Sequence, residues 1–313
     1  MSTRKKQIRQ EMFNEFSVNL ATYSNPRISE SFACPICLRL FNSIDALSDA
    51  HIFPKALGGR SITLTCTDCN NNIGSSIESY ETERVKPILD KSWSVSLRPL
   101  ESSCDKICGN IPAKMKIIDE QNLILAFDCI SKKATPNALN KIEENWGKAG
   151  FSFQMEFKAR ADWHRAKLTY LHSAFLYLFS QFGYEWALDP CTQAIREQLQ
   201  KPEEDLISFE IGELTNLELA DFPRNLELLS LYLIREPEES KGFLVIFSGL
   251  EHWNSPIGVW MPLFGCSYKL PEFSRLRVVS LPTFSTTFSN HLSTFNYWYL
   301  GHRLVQHFFP ESN

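Results

Sequence analysis

Two cysteine pairs constrain this chain more than anything else in it. Cys34-Pro-Ile-Cys37 and Cys66-Thr-Asp-Cys69 stand about thirty residues apart. A C-x-x-C pair turns tightly enough to aim both sulfurs at one point, and two such pairs supply the four soft ligands of a tetrahedral zinc site. The same residues could instead form two disulfides or stay as buried thiols. The N-terminal stretch is basic and then amphipathic, without the apolar core of a signal peptide, so a reducing cytoplasm and zinc are expected. The linker exceeds the usual zinc-ribbon spacing, so a further structure is inserted between the knuckles.

The insert reads as a hairpin. Asp49 to Phe53 has strand character and is ended by Pro54, Gly58-Gly59 supplies the turn, and Ser61 to Cys66 alternates as a second strand. After Cys69 the run from Asn70 to Tyr80 is polar, with Ile73, Ile77 and Tyr80 at helical spacing. The local order is strand, turn, strand, knuckle, helix. His51 falls at the end of the first strand and Asn70 at the start of the helix.

This stretch resembles the ββα-metal core of HNH nucleases (the His-Me finger), in the zinc-stabilised branch that includes the phage junction-resolving endonuclease. The residues that carry the resemblance are the four cysteines, His51-Ile-Phe-Pro54, Gly58-Gly59 and Asn70. It implies structural Zn²⁺ on Cys34, Cys37, Cys66 and Cys69, His51 as general base, and one catalytic divalent ion, Mg²⁺ or Mn²⁺, at Asn70. Neutral imidazole can take a proton from water near working pH. The metal would hold the scissile phosphate, and Lys55 and Arg60 could hold neighbouring ones. Two positions depart from the family pattern. Ala50 stands where a metal-ligating acid or His is common; Asp49 precedes it and can reach the metal only if the backbone bulges. The middle Asn that orients the base is also missing, with Ser61 or Thr63 nearest. A retired zinc module that binds DNA or protein therefore stays open as a second reading.

The rest of the chain is less telling. Its 313 residues are 43% hydrophobic and 22% charged, which suits roughly two globular domains. The net charge of −4 argues against a nonspecific nucleic-acid coat but allows a local basic site. No apolar run is long enough for a membrane span. Residues 1–20 read as a helix whose Arg4, Lys5, Lys6 and Arg9 either contact phosphates or are simply solvated. Strands are expected over 113–119, 122–128 and 151–157, and a helix over Thr135 to Trp146. Cys104 and Cys108 read as ordinary thiols. Residues 161–182 are apolar nearly all round and should form a central buried helix, with His172 as a satisfied core histidine. A shorter helix follows from Cys191 to Gln200. Strands are expected over Leu206–Ile211, Leu229–Ile234, Phe243–Phe247, Ile257–Phe264 and Leu276–Leu281, then a helix over Phe295 to Phe309.

The expected architecture is α+β: an N-terminal helix or arm (1–30), an HNH module (31–90) and a larger α+β domain (91–313). The expected activity is DNA cleavage, with RNA not excluded. The last domain would select substrate, bind a protein partner or take an activating ligand, in the manner of bacterial or phage-related defence effectors.

Overall fold

The computed structural model describes residues 3–23, 30–99, 111–119, 124–129, 153–157, 162–208, 211–213, 229–236, 238–247, 257–266 and 277–281. The chain divides into two compact units. One joins Met1–Glu81 to Trp163–Asn313, and the other is Thr82–Asp162. The expected helices over Thr135 to Trp146 and Phe295 to Phe309, and Cys104 with Cys108, lie outside the described residues.

In the first unit, helix α1 (Thr3–Tyr23) precedes two short paired strands, β1 (Phe32–Ala33) and β2 (Leu40–Phe41), which bracket the first knuckle. Strands β3 (Leu47–Ile52) and β4 (Arg60–Cys66) form an antiparallel hairpin. Helix α2 (Thr67–Ile73) follows without a break, widens into a π turn over Gly74–Glu78 and continues as α3 (Ser79–Leu89). The order anticipated from the sequence is therefore present, with the helix beginning three residues earlier than Asn70. The reason is local: Cys66 is the N-cap, its sulfur accepting the Cys69 backbone N–H.

Helix α4 (Trp163–Phe182) is the centre of this unit. Its length is apolar on every side, and every residue from Leu168 to Phe182 is buried. One side packs on β3, β4 and the π turn, and another on a five-stranded antiparallel sheet. That sheet has the order β13 (Arg277–Leu281), β10 (Leu229–Glu236), β11 (Gly242–Phe247), β12 (Ile257–Pro262), β9 (Ile211–Glu213). Phe182 lies tilted against Phe243 at 5.2 Å, and Tyr170 meets Phe247 at 6.0 Å. Helix α1 closes the other end: Phe16 stacks on Phe179 at 4.6 Å, and Asn19 accepts the Tyr184 N–H at 2.7 Å. Tyr184 opens the short helix α5 (Tyr184–Ala187), which a 3-10 turn joins to α6 (Gln193–Gln200) with Asp189 as its cap.

Four of the five C-terminal strands fall where sequence alternation put them. The strand expected over Leu206–Ile211 does not form at 206–208, because the N–H groups of Leu206 and Ile207 both donate to Gln198 Oε1 and tie this stretch to α6. Among the described residues of this stretch, only Ile211, at the start of β9, is paired.

The second unit holds a four-stranded antiparallel sheet in the order β7 (Ile124–Cys129), β6 (Ile111–Asp119), β5 (Ser92–Pro99), β8 (Phe153–Phe157). The β6–β7 and β8 assignments match expectation. Strand β5 went unread, although Trp93, Val95 and Leu97 alternate with polar residues along it.

Candidate active site: a zinc knuckle and a histidine on one hairpin

The first knuckle turns at Leu38, whose backbone is left-handed (φ 57°) and whose N–H donates to Cys34 O at 2.8 Å. Cys34 N returns to Arg39 O at 2.9 Å. The second knuckle is the β4–α2 junction itself. All four sulfurs lie within 4.8 Å of one another, and no disulfide links them. Zn–S bonds of about 2.3 Å put tetrahedral neighbours roughly 3.8 Å apart; Cys37 and Cys66 Sγ are separated by 3.8 Å. The donor set therefore fits zinc. Crowding redistributes the thiol protons: hydrogen bonds with Cys37 and its neighbours push Cys34 well up, and the bond from Cys34 pulls Cys66 down to about 6 and Cys37 lower still.

Arg39 was not singled out from sequence. Its Nε donates to Cys37 Sγ at 3.4 Å, and its Nη2 donates to Cys66 Sγ at 3.5 Å and Asp68 at 2.8 Å. A guanidinium is a suitable counter-ion for a four-thiolate centre, which carries net negative charge. Its only sequence signal is its place two residues after Cys37.

At the other end of the hairpin, His51 is half-buried and stands opposite Ser61. The register shifts at this step: Ala50 pairs with Thr63 and His51 with Ser61, so Ile62 is the extra residue, on β4 rather than β3. Burial lowers the His51 pKa below 6.5; Asp49 opposes that shift, and Lys55 and Lys5 add to it. The imidazole is thus neutral at neutral pH. Ala50 is fully buried.

Asp49 does not stand free for a metal. Its Oδ2 lies 2.6 Å from Lys5 Nζ and its Oδ1 3.1 Å from Arg9 Nε, both on α1. Arg9 also donates to Leu47 O at 2.7 Å. Lys5 and Arg9, expected to be either phosphate contacts or solvated charges, are thus engaged with the hairpin instead.

The residues after His51 form a compact loop. Phe53 is left-handed (φ 67°), the Gly59 N–H returns to Pro54 O at 3.1 Å, and Gly58 takes φ 88°. A Cβ on Gly59 would stand 1.9 Å from Phe53 O, so only glycine allows this approach. Lys55 is exposed on this loop, and Arg60 is exposed at the first position of β4. Asn70 lies in α2, half-buried, directly after the second knuckle, and α2 packs on both strands of the hairpin. Its amide is a hard oxygen donor of the kind Mg²⁺ accepts alongside several waters.

Two further acids sit beneath. Glu78, in the π turn, has its carboxyl pushed up to about 7 by burial. It stands 3.6 Å from His172 Nδ1, a nitrogen with no hydrogen-bond partner among the described residues. His172 is in the core as expected, but it is not satisfied there; burial lowers its pKa to about 3. Tyr170 donates from its hydroxyl to buried Glu81. The polar start of α4 is an ordinary helix end: His164 faces Asp205 at 3.3 Å, Arg165 donates to the Tyr80 hydroxyl at 3.1 Å, and Lys167 lies over Trp163.

A β-hairpin running through a four-cysteine knuckle into a helix, with a neutral histidine on the hairpin, is a ββα-metal module. Residues 34–85 match the family model described as HNH endonuclease, in agreement with the resemblance read from the same stretch. This segment, about a sixth of the chain, is thereby similar to HNH nucleases. The comparisons with curated proteins and with solved structures returned no match. Among the described residues no helix is long and apolar enough to cross a membrane.

Proposed function

We propose that this protein is a metal-dependent endonuclease that hydrolyses phosphodiester bonds of DNA. The observation that carries the reading is His51: a half-buried, neutral imidazole on the hairpin strand that packs against the helix bearing Asn70. His51 accepts a proton from the attacking water as general base. Asn70 would hold a single Mg²⁺ or Mn²⁺ through its amide oxygen. Bound there, a divalent ion polarises the phosphodiester and offsets charge on the leaving oxygen. Zn²⁺ on the four cysteines keeps β4 and α2 in place and takes no part in the reaction. Lys55 and Arg60 meet flanking phosphates of the nucleic acid. Asp49, weighed above as a second metal ligand, is assigned instead to holding α1 through Lys5 and Arg9. The division into an arm, a nuclease module and a regulatory or partner-binding remainder, action in the cytoplasm and a place in antiviral defence belong to the same proposal.

The test is plasmid cleavage with Mg²⁺ or Mn²⁺, with and without EDTA, for the parent and for His51→Ala. The expected result is metal-dependent nicking or linearisation, reduced about 10²–10⁴-fold in the variant, with equal zinc content in both proteins. Ala50 and the pairing of Asp49 support one alternative, a retired module that binds DNA or protein without cutting. Equal inertness of both proteins, with DNA binding retained, would select it.

A further inference from the structure

Nothing in the match over residues 34–85 assigns a part to α4, which begins some eighty residues later. We propose that α4 is a component of the catalytic centre, with Ser173 and Tyr170 as positioning residues that set the His51 end of the hairpin against the helix carrying Asn70. This rests on the nuclease reading above.

The geometry is a chain of named contacts. Phe53 lies two residues after His51 and takes a left-handed backbone that a bulky residue rarely adopts. Its buried N–H cannot join the β3–β4 ladder, which ends at Ile52, and it donates instead to Ser173 Oγ at 3.0 Å. Ser173 is itself oriented, because its hydroxyl proton goes to Thr169 O at 2.7 Å and leaves a lone pair for Phe53. The Phe53 ring meets Tyr170 edge-on at 5.3 Å. The Tyr170 hydroxyl then donates to Glu81, on the helix that continues from α2 through the π turn. Ser173, Tyr170 and Glu81 are all fully buried.

Within three residues, α4 thus grips both halves of the module. It fixes the segment just past the proposed base, and through Glu81 it fixes the helical run that carries Asn70 in its first turn. The hairpin alone offers no such constraint, since its register is broken at the His51 step. General-base catalysis needs the imidazole placed to a fraction of an ångström, so loss of this anchor should act on turnover more than on substrate affinity.

The experiment uses the full chain with Ser173→Ala, Ser173→Thr and Tyr170→Phe. Zinc content and thermal midpoint are checked first, then kcat and KM for plasmid cleavage, and then the titration of His51 by NMR. For Ser173→Ala we expect kcat to fall about ten- to a hundredfold with KM within about twofold, and the His51 titration to move. Ser173→Thr, which keeps the hydroxyl, should recover most of the turnover. Tyr170→Phe keeps the ring against Phe53 but loses the Glu81 bond, and it serves as the test if Ser173→Ala does not fold. Unchanged kcat and an unchanged His51 titration in a folded variant would overturn the proposal. If the parent cleaves nothing, the nuclease reading fails on its own, and the NMR arm still decides: a shifted His51 titration in Ser173→Ala retains α4 as its anchor, and an unshifted one removes it.

Discussion

The two ends of the β3–β4 hairpin are built on opposite principles. At the zinc end the placing of the sulfurs is mostly local. Two tight turns, a helix cap made by a cysteine sulfur, N–H···S bonds and one arginine set it from residues 34 to 69, and distant residues add only backbone support, with Gln200 donating to Ile36 O and Arg9 to Leu47 O. At the histidine end the strand is out of register, the loop backbone is left-handed at Phe53, and the supports come from elsewhere: Lys5 and Arg9 from α1, Ser173 and Tyr170 from α4. A metal ion can organise a short segment because its bonds are strong and directional. The His51 side chain, proposed above as the general base, has no such glue and depends on packing from distant elements.

Perturbing each end separately sharpens that contrast. The largest effect should come from the zinc end. Cys66→Ser, or removal of zinc by a chelator, is expected to unfold the hairpin and α2, since structural zinc contributes on the order of 10 kcal/mol in small domains; metal analysis and thermal melting measure it.

Gly59→Ala attacks the histidine end without touching a zinc ligand. The added Cβ would collide with Phe53 O. A loss of about 1–3 kcal/mol is expected, read as a lower thermal midpoint with the zinc still bound.

A smaller effect should arise beneath the hairpin, in the pH dependence of stability. His172 titrates at about 3 in the folded protein against 6.5 for an ordinary imidazole, so the unfolded chain binds more protons between those values and stability falls as pH drops through that range. Glu78 titrates at about 7 against 4.5 for an ordinary carboxyl, so the folded chain binds more protons there and its contribution falls as pH rises. The two oppose each other from about 4.5 to 6.5. Glu78→Gln removes one of them, so its thermal midpoint relative to the parent should climb with pH across that window; a flat difference would refute the assignment.

The smallest effect belongs to Arg39→Met. With its sulfur contacts gone, zinc should leave the knuckle a few-fold faster in a chelator competition, with little change in melting.

The same contrast explains what could be read from the sequence. The cysteine pairs, His51-Ile-Phe-Pro54, Gly58-Gly59 and Asn70 were legible because each encodes geometry within a few residues. Helix α4 was legible as a buried helix, since it is apolar on all sides, but its partners were not. The bulge at Ile62 left no mark in the alternation of β4, and the commitment of Asp49 to Lys5 and Arg9 joins residues some forty positions apart. Strand β5 was missed because its polar positions are rich in serine, which reads as loop. The strand expected at Leu206 lost to a single glutamine that captured its backbone.

The Phe53–Ser173 bond spans 120 positions and so imposes an order in time. Chains grow at roughly 5–20 residues per second. The histidine strand is therefore made on the order of ten seconds before the helix that anchors it. During that interval the zinc knuckle can already close, because its ligands are complete by Cys69. On the reading proposed above, a nascent chain would thus acquire its metal early and its base geometry late, and it would become competent to cut only after synthesis had passed Ser173.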